Sequence, residues 1–262
     1  MGSTCPPGTA PTGTHTGPAP TGTVPDARAI AEALAAEVRT KPAGARLESE
    51  HELCTRFGVA RSVVRRALED LERRFLIRRV RGSGTFVGTR IDYQVSTGHA
   101  PSLHSTVEAA GGEARTSVLE SGPARLPLRA AELLGAEPGE STLRLRRTGS
   151  INGFLASCGE EWLAPGAAEH LDAALGVIES VYETLQAFGY TPRRSRSVAT
   201  LDHPSAEIAE ILDLEPSTPA WFLETVTSDA ATGAPLLVSS TWLRLDCVRL
   251  VFDFEPEGPS TP

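Results

Sequence analysis

The most constraining feature of this sequence is residues 49–87, where two short amphipathic segments flank a glycine and a glycine-containing hairpin pattern follows. Ser49 and Glu52 have the spacing of a capping box, and Gly58 is suited to the left-handed residue that ends a helix. The second segment carries an apolar stripe at helical spacing, formed by Val64, Ala67, Leu68 and Leu71. The pattern predicts two helices joined by a short turn.

One helix is predicted before this pair and two strands after it. Asp26 stands at an N-cap position, and the apolar residues that follow at helical spacing are Ile30, Ala33, Leu34 and Val38. Residues 76–80 and 85–87 are predicted strands, joined by a tight turn at Gly82 and Gly84. Three helices closed by a basic hairpin predict a winged helix-turn-helix.

Charge is distributed unevenly along the chain. Residues 26–87 hold 13 Lys and Arg against 9 Asp and Glu, whereas the rest of the chain holds 12 against 24. A basic segment in an acidic chain indicates a nucleic-acid or membrane partner for that segment. Because Arg61 and Arg65 lie one helical turn apart and away from the apolar stripe, with Arg66 beside them, we expect this helix to enter the major groove of DNA. In the hairpin, Arg78, Arg79 and Arg81 are predicted to neutralise phosphates.

Other classes of protein are disfavoured by the sequence. The four cysteines are far apart and have no histidine cluster at ligand spacing, so we expect neither a metal site nor a cofactor. No apolar run reaches the ~20 residues that span a bilayer, and the N-terminus lacks the pattern of a signal peptide. We therefore expect a cytoplasmic protein with reduced thiols.

The second half of the chain contains an internal repeat. Residues 130–163 are echoed by residues 206–243, each reading as a short helix, a turn and a two-stranded hairpin, with hairpin turns at 152–153 and 232–233. Two such copies can pair into one antiparallel sheet with helices on a face, which is an α+β domain. A further helix is predicted between the copies, with Ile178, Val181, Leu185 and Phe188 facing inward.

These features predict the following division of the chain. A disordered tail covers residues 1–25, a winged helix-turn-helix DNA-binding domain covers 26–90, a linker covers 91–101, an α+β domain covers 102–256 and a tail covers 257–262.

The N-terminal domain resembles the DNA-binding domain of the GntR family of bacterial regulators over about sixty positions. The resemblance rests on residues 43–50, AGARLESE, and residues 59–68, VARSVVRRAL. Glu48 replaces a usual proline, His51 a usual arginine, and Phe75 a usual glycine, which is the residue that best tolerates a left-handed backbone. The predicted DNA-binding residues are Ser49, His51, Arg61, Ser62, Arg65, Arg66, Arg78, Arg81, Gly82, Ser83, Gly84 and Thr85.

The C-terminal domain resembles the UTRA effector-binding domain of the HutC subfamily, whose antiparallel sheet and helices are related to chorismate lyase. The resemblance rests on the architecture and on the S-x-Y-x-x-L pattern at Ser180, Tyr182 and Leu185. It implies an effector site at Ser102, Arg147, Ser180 and Tyr182, to which Trp242 is added as a pocket wall. Gly149 stands at the position where the resemblance implies a second arginine, so we expect any site for a sugar phosphate to be weaker or differently built. Glu160 and Glu161 are expected to face solvent.

Together these resemblances imply a DNA-binding transcriptional regulator rather than an enzyme. We expect a homodimeric repressor that binds a pseudo-palindromic operator and responds to a small metabolite, for which an anion is a candidate, with no membrane partner. Two alternatives stay open at this point: a small-molecule enzyme of the chorismate lyase type, and a constitutive DNA-binding protein with a vestigial ligand domain.

Overall fold

The computed structural model of this chain describes residues 25–80, 82–88, 90–96, 103–168 and 180–252. The N-terminal part consists of α1 (Ala27–Val38), α2 (Glu50–Phe57), α3 (Arg61–Arg73), β1 (Ile77–Val80) and β2 (Gly84–Val87). The strands β1 and β2 form an antiparallel hairpin, so the predicted winged helix-turn-helix is confirmed. The predicted tails lie outside the described residues except for Pro25.

The helix ends follow the predicted capping chemistry. The Asp26 side chain accepts a hydrogen bond from the Ala29 backbone N–H at 2.8 Å, and Ser49 and Glu52 form both hydrogen bonds of the capping box. Gly58 has a φ of +64°, a left-handed value that glycine adopts without a steric clash because it has no Cβ. Of the residues expected in the core of α1, Ala33 is exposed because Ala31 and Ala35 occupy the buried side instead.

Two departures from the family pattern have local consequences. Phe75 adopts the left-handed region with a φ of +55°, and the guanidinium of Arg90 lies 4.3 Å from the centre of its ring. Glu48 accepts a hydrogen bond from Arg56 at 2.6 Å, and Arg56 also binds Glu37 in α1. Arg56 therefore links α2 to α1 through Glu37, and Glu48 binds the same guanidinium.

A parallel strand pair joins the two ends of the C-terminal region. Strand β3 (Ile91–Val95) pairs with β10 (Val248–Phe252), in register from Ile91 opposite Val248. The predicted linker thus begins with a strand that packs into the C-terminal core together with Val107 and Leu243. This pairing could not be predicted from local pattern, since it joins segments far apart in the sequence.

The remaining elements form the repeat domain. They are α4 (Leu103–Ala109), β4 (Ala114–Arg125), α5 (Leu128–Leu134), β5 (Ser141–Ile151), β6 (Phe154–Leu163), α6 (Pro165–Ala168), α7 (Val181–Ala187), β7 (Pro192–Asp202), α8 (Ala206–Ile211), β8 (Ala220–Asp229) and β9 (Pro235–Arg244). The antiparallel six-stranded sheet has the order β4-β5-β6-β9-β8-β7. The two copies form one antiparallel sheet, as predicted, and β6 and β9 are the strands that join them.

Each copy is larger than the sequence repeat indicated. A leading strand precedes the helix in both, so one copy is β4-α5-β5-β6 and the other is β7-α8-β8-β9. The hairpin turns fall at the predicted sites, with Asn152 and Gly153 both at positive φ and Gly233 at +76°.

The two faces of the sheet are covered by different helices. Helices α4 and α7 and the β3–β10 pair lie on one face, which we call the inner face, and α5 and α8 lie on the other, the outer face. In α7, Val181 and Leu185 are buried as predicted, whereas Phe188 is exposed at the end of the helix and Ile178 lies outside the described residues.

Candidate functional site

The exposed face of α3 carries the predicted cations. The side chain of Arg61 is 77% exposed, and Arg65, Arg66 and Ser62 are also exposed. The apolar stripe on the opposite side is fully buried, with Val64 at 0% exposure. Within the described part of the chain, Arg65 and Arg66 form no ion pair, so their guanidinium groups face solvent and can approach a polyanion.

A cleft separates α2 and α3 from the hairpin, and Glu50 occupies it. Its Oε2 accepts a hydrogen bond from Arg61 Nε at 2.6 Å, and its Oε1 lies 3.4 Å from Arg79 Nη2. The Glu50 carboxylate raises the pKa of Arg61 by hydrogen bonding and by its charge. Glu50 therefore holds one cation from the helix and one from the hairpin in the unbound protein.

The tip of the hairpin borders the same cleft. Gly82, Ser83, Gly84 and Thr85 line it together with Ser49 and His51, while Arg81 lies outside the described residues. Arg46 also lines the cleft, and a Cβ placed on Gly84 would lie 3.1 Å from Arg46 Nε. Sequence reasoning missed Arg46 because its contact with the hairpin depends on the pairing of Arg46 with Phe86.

Arg78 does not belong to this surface, which corrects the expectation that it neutralises phosphate. Its side chain is 12% exposed, its guanidinium lies 4.9 Å from the centre of the Phe154 ring, and its Nε lies 3.6 Å from Asp246 Oδ2. Successive strand residues point to opposite sides. Arg79 consequently faces the cleft while Arg78 faces the C-terminal domain.

A second site lies on the inner face of the repeat sheet, in a cavity of about 120 Å³. The cavity brings together Arg147 of β5 with Ser180 and Tyr182 at the start of α7, three of the residues implied by the resemblance. Ser102 lies outside the described residues. Arg144 and Arg146 point to the outer face, as strand alternation requires.

Arg147 and Glu161 form an ion pair inside this cavity. Arg147 Nη2 donates to Glu161 Oε1 at 2.6 Å, and the Glu161 side chain is only 13% exposed. The expectation that Glu161 faces solvent is therefore wrong. Its Oε2 is buried and has no hydrogen-bond partner among the described residues, so it can accept a hydrogen bond from a bound molecule.

Arg194 of β7 is a cavity residue that sequence reasoning missed. It is 4% exposed, and it donates to the hydroxyl of Tyr93 at 2.8 Å and to the backbone carbonyl of Gln94 at 3.2 Å. Its Nε is buried without a partner in the described structure. The sequence did offer a pattern that could have indicated Arg194. Residues 192–196 are rich in arginine, and because successive strand residues point to opposite faces, Pro192 and Arg194 share the buried side.

Tyr182 and Ser180 help to build the cavity wall. The hydroxyl of Tyr182 lies 2.9 Å from Thr227 Oγ1, and burial raises the pKa of Tyr182, so the phenol stays protonated. Ser180 caps α7 by accepting a hydrogen bond from the Glu183 backbone N–H at 3.3 Å. Tyr182 thus offers a neutral hydroxyl, and Ser180 orders the helix that presents it.

Trp242 lies on the opposite face of the sheet, which corrects its assignment as a wall of the effector site. On β9, Ser239 and Thr241 line the inner cavity, whereas Trp242 packs against Phe222 on the outer face with ring centres 5.0 Å apart. The assignment failed because the face that a strand residue occupies changes with a shift of one position.

The described residues contain no cluster of three or more His, Cys, Asp or Glu side chains that could hold a metal ion. No helix among them has the length and apolar character required to cross a membrane.

A winged helix-turn-helix joined to a sheet domain with a polar internal cavity defines the class of two-domain transcriptional regulators with a ligand-binding domain. Residues 23–87 match the gntR family of bacterial regulatory proteins, and residues 109–249 match the UTRA domain. The chain belongs to the GntR family and carries a UTRA domain.

Named relatives agree with this assignment. The chain is 30% identical over 227 residues to the HTH-type transcriptional regulator Rv0792c of Mycobacterium tuberculosis, covering 83% of this chain and 81% of the relative. It is 26% identical over 183 residues to the HTH-type transcriptional regulator GgaR of Escherichia coli K12, covering 70% and 72%.

Solved structures share the fold. PhnF from Mycobacterium smegmatis superposes with a TM-score of 0.58 at 22% identity, covering 87% of this chain and 100% of that one. YydK from Bacillus subtilis superposes with a TM-score of 0.53 at 21% identity, covering 87% and 99%. Members of this family regulate transcription and are not enzymes, which removes the alternative of a small-molecule enzyme.

Proposed function

We propose that this protein is a metabolite-responsive repressor of the HutC subfamily that binds a pseudo-palindromic operator as a homodimer. The observation that carries the proposal is the exposed basic face of α3 with the glycine-rich hairpin tip beside it. One helix delivers Arg61 and Arg65 to base edges, while backbone N–H groups at Gly82 and Gly84 approach the adjacent phosphates.

The dimer follows from the geometry of operators. A single winged helix-turn-helix covers one half-site, and two half-sites about 34–36 Å apart are read by two recognition helices related by a two-fold axis. Because the DNA lies in the bacterial cytoplasm, we place the protein there. The mass of the protein in solution, measured by light scattering, tests the dimer separately from DNA binding.

The inner-face cavity is the proposed effector site. It buries Arg147, Glu161 and Arg194. In the described structure Glu161 Oε2 and Arg194 Nε have no hydrogen-bond partner, an arrangement that a polar ligand would complete. Effector control requires that the ligand bind the operator-competent and operator-incompetent arrangements with different affinity. A ligand that binds both equally leaves repression unchanged.

A nuclease footprint on the intergenic DNA upstream of the gene, at physiological salt, tests the DNA-binding part. A protected pseudo-palindrome is expected, and diffuse binding that disappears as salt rises would contradict it. Operator affinity measured with and without a metabolite panel tests the effector part. An affinity that no metabolite changes would instead support the constitutive DNA-binding protein with a vestigial ligand domain.

A further inference from the structure

Among the described residues that line the effector cavity, the charged side chains do not balance. Arg147 forms an ion pair with Glu161 at 2.6 Å. Arg194, which is almost completely buried, donates hydrogen bonds to the Tyr93 hydroxyl and to the Gln94 backbone carbonyl. In the described part of the chain Arg194 has no carboxylate partner.

A buried cation without a counter-ion is unfavourable, because the low dielectric of the interior does not replace the hydration that the charge has lost. A ligand that brings one negative charge to Arg194 removes this imbalance. A phosphate monoester brings close to two charges, and Gly149, which lines the cavity beside Arg147, supplies no second cation for it. No larger residue fits there without movement, since a Cβ on Gly149 would lie 2.5 Å from Ser157 Oγ.

A buried acceptor specifies the rest of the ligand. Among the described residues Glu161 Oε2 has no hydrogen-bond partner, and a carboxylate oxygen accepts hydrogen bonds. His104 also lines the cavity, and its Nε2 lies 3.2 Å from Glu108 Oε1. Glu161 Oε2 therefore favours a hydroxyl donor on the ligand.

We propose that the effector is a small hydroxylated monocarboxylate, such as a hydroxy acid or sugar acid. Its carboxylate binds Arg194 and a hydroxyl donates to Glu161 Oε2. The small cavity and the hydroxyl groups of Thr116, Ser157 and Thr241 in its lining suit such a molecule. The inference rests on the proposed role of this cavity as the effector site.

The test is thermal unfolding of the full-length protein with four probes at constant pH and ionic strength: glycerate, propionate, glycerol and inorganic phosphate. Ligands that bind only the folded state raise the melting temperature in a saturable way. Glycerate has both the carboxylate and the hydroxyls, whereas propionate lacks the hydroxyls and glycerol lacks the carboxylate. We expect glycerate to bind about tenfold more tightly than the other three, which corresponds to about 1.4 kcal/mol.

Three variants locate the binding. Arg194→Gln should abolish the glycerate shift, and the control Arg193→Gln, an exposed neighbour on the same strand, should preserve it. Glu161→Gln removes one negative charge from the cavity and should raise its affinity for phosphate severalfold. If a variant does not fold, the ranking of the four probes on the unmodified protein still decides the matter.

The proposal is overturned if phosphate or glycerol binds as tightly as glycerate, if Arg194→Gln keeps the glycerate shift, or if none of the four probes shifts the melting temperature. If the protein protects an operator from nuclease but binds no carboxylate, only the proposed ligand class is rejected. If it binds glycerate through Arg194 but protects no operator, only the proposed operator binding is rejected.

Discussion

The ring of Phe86 in the hairpin lies 5.7 Å from the ring of Phe154 at the start of β6, with the two planes tilted by 59°. Arg78 stacks on the same Phe154 ring from β1 and reaches Asp246 and Cys247 beyond it. The β1–β2 hairpin therefore packs against the hairpin turn of the first repeat, whose strands also form one wall of the proposed effector cavity. This contact connects the winged helix-turn-helix directly to the sheet that contains the cavity.

Opening this contact should expose Cys247. Burial raises the pKa of Cys247 to about 12, and the residue is only 4% exposed, so its thiol should react slowly with thiol reagents at pH 8. Phe154→Ala removes an aromatic pair that contributes about 0.5–1.5 kcal/mol beyond its buried area, and should accelerate the labelling of Cys247. Peptide mapping after timed labelling measures the rate at this cysteine alone.

The matched control is Phe188→Ala, which removes an exposed phenylalanine that follows α7 and lies outside this contact. An equal labelling rate in the Phe154 and Phe188 variants would show that the hairpin does not shield Cys247.

Glu50→Gln should increase affinity for DNA. The carboxylate of Glu50 binds Arg61 and Arg79 in the free protein, and phosphate must compete with it for both cations. We expect severalfold tighter binding to operator and random DNA alike, measured by fluorescence anisotropy at fixed salt. Glu48→Gln makes the same change in net charge near Arg56 and away from the cleft, so a similar gain in that variant would point to net charge alone.

Arg65→Ala should weaken specific binding by about 1 to 3 kcal/mol if Arg65 reads a base edge. The exposed guanidinium has no ion-pair partner among the described residues, so no internal salt bridge is lost with it. Titrations with operator and with random DNA measure the two affinities. An equal loss on both would identify Arg65 as a phosphate contact, and Arg73→Ala, at the other end of α3, should change neither affinity by a comparable amount.

Much of the fold was predictable because its signals are local. The capping box at Ser49 and Glu52, the apolar stripe of α3 and the hairpin turn at Asn152 depend on residues within a few positions of one another. The burial of Arg78 was not predictable from the hairpin, because its partner Cys247 lies 169 positions further along the chain.

The residues of the proposed effector cavity were predictable to a similar extent. Arg147, Ser180 and Tyr182 came from a motif resemblance and do meet at one cavity. Arg194 was missed and Trp242 was assigned to the wrong face. Whether a strand residue lines the cavity depends on the face of the sheet that it occupies, and the register between strands sets that face.

The ion pairs of Asp246 with Arg244 and Arg78 should make the free energy of unfolding sensitive to acid. Burial opposes ionisation of Asp246, but the hydrogen bonds from Arg244 and the charges of Arg244 and Arg78 hold its pKa below its usual value. A group whose pKa is lower in the folded state stabilises the fold above its unfolded pKa of about 3.9, and this contribution is lost as pH falls through the folded pKa. Asp246→Asn should therefore lower the free energy of unfolding near pH 7 by about 1 to 3 kcal/mol.

The difference between the unmodified protein and the Asp246→Asn variant should be constant above about pH 5 and should shrink at lower pH, as Asp246 becomes protonated. Urea unfolding followed by circular dichroism at several pH values measures it, with Asp202→Asn as an exposed control. A difference that stays constant down to pH 3 would mean that the loss in the variant comes from altered packing, and that the ionised carboxylate between Arg244 and Arg78 contributes nothing to stability.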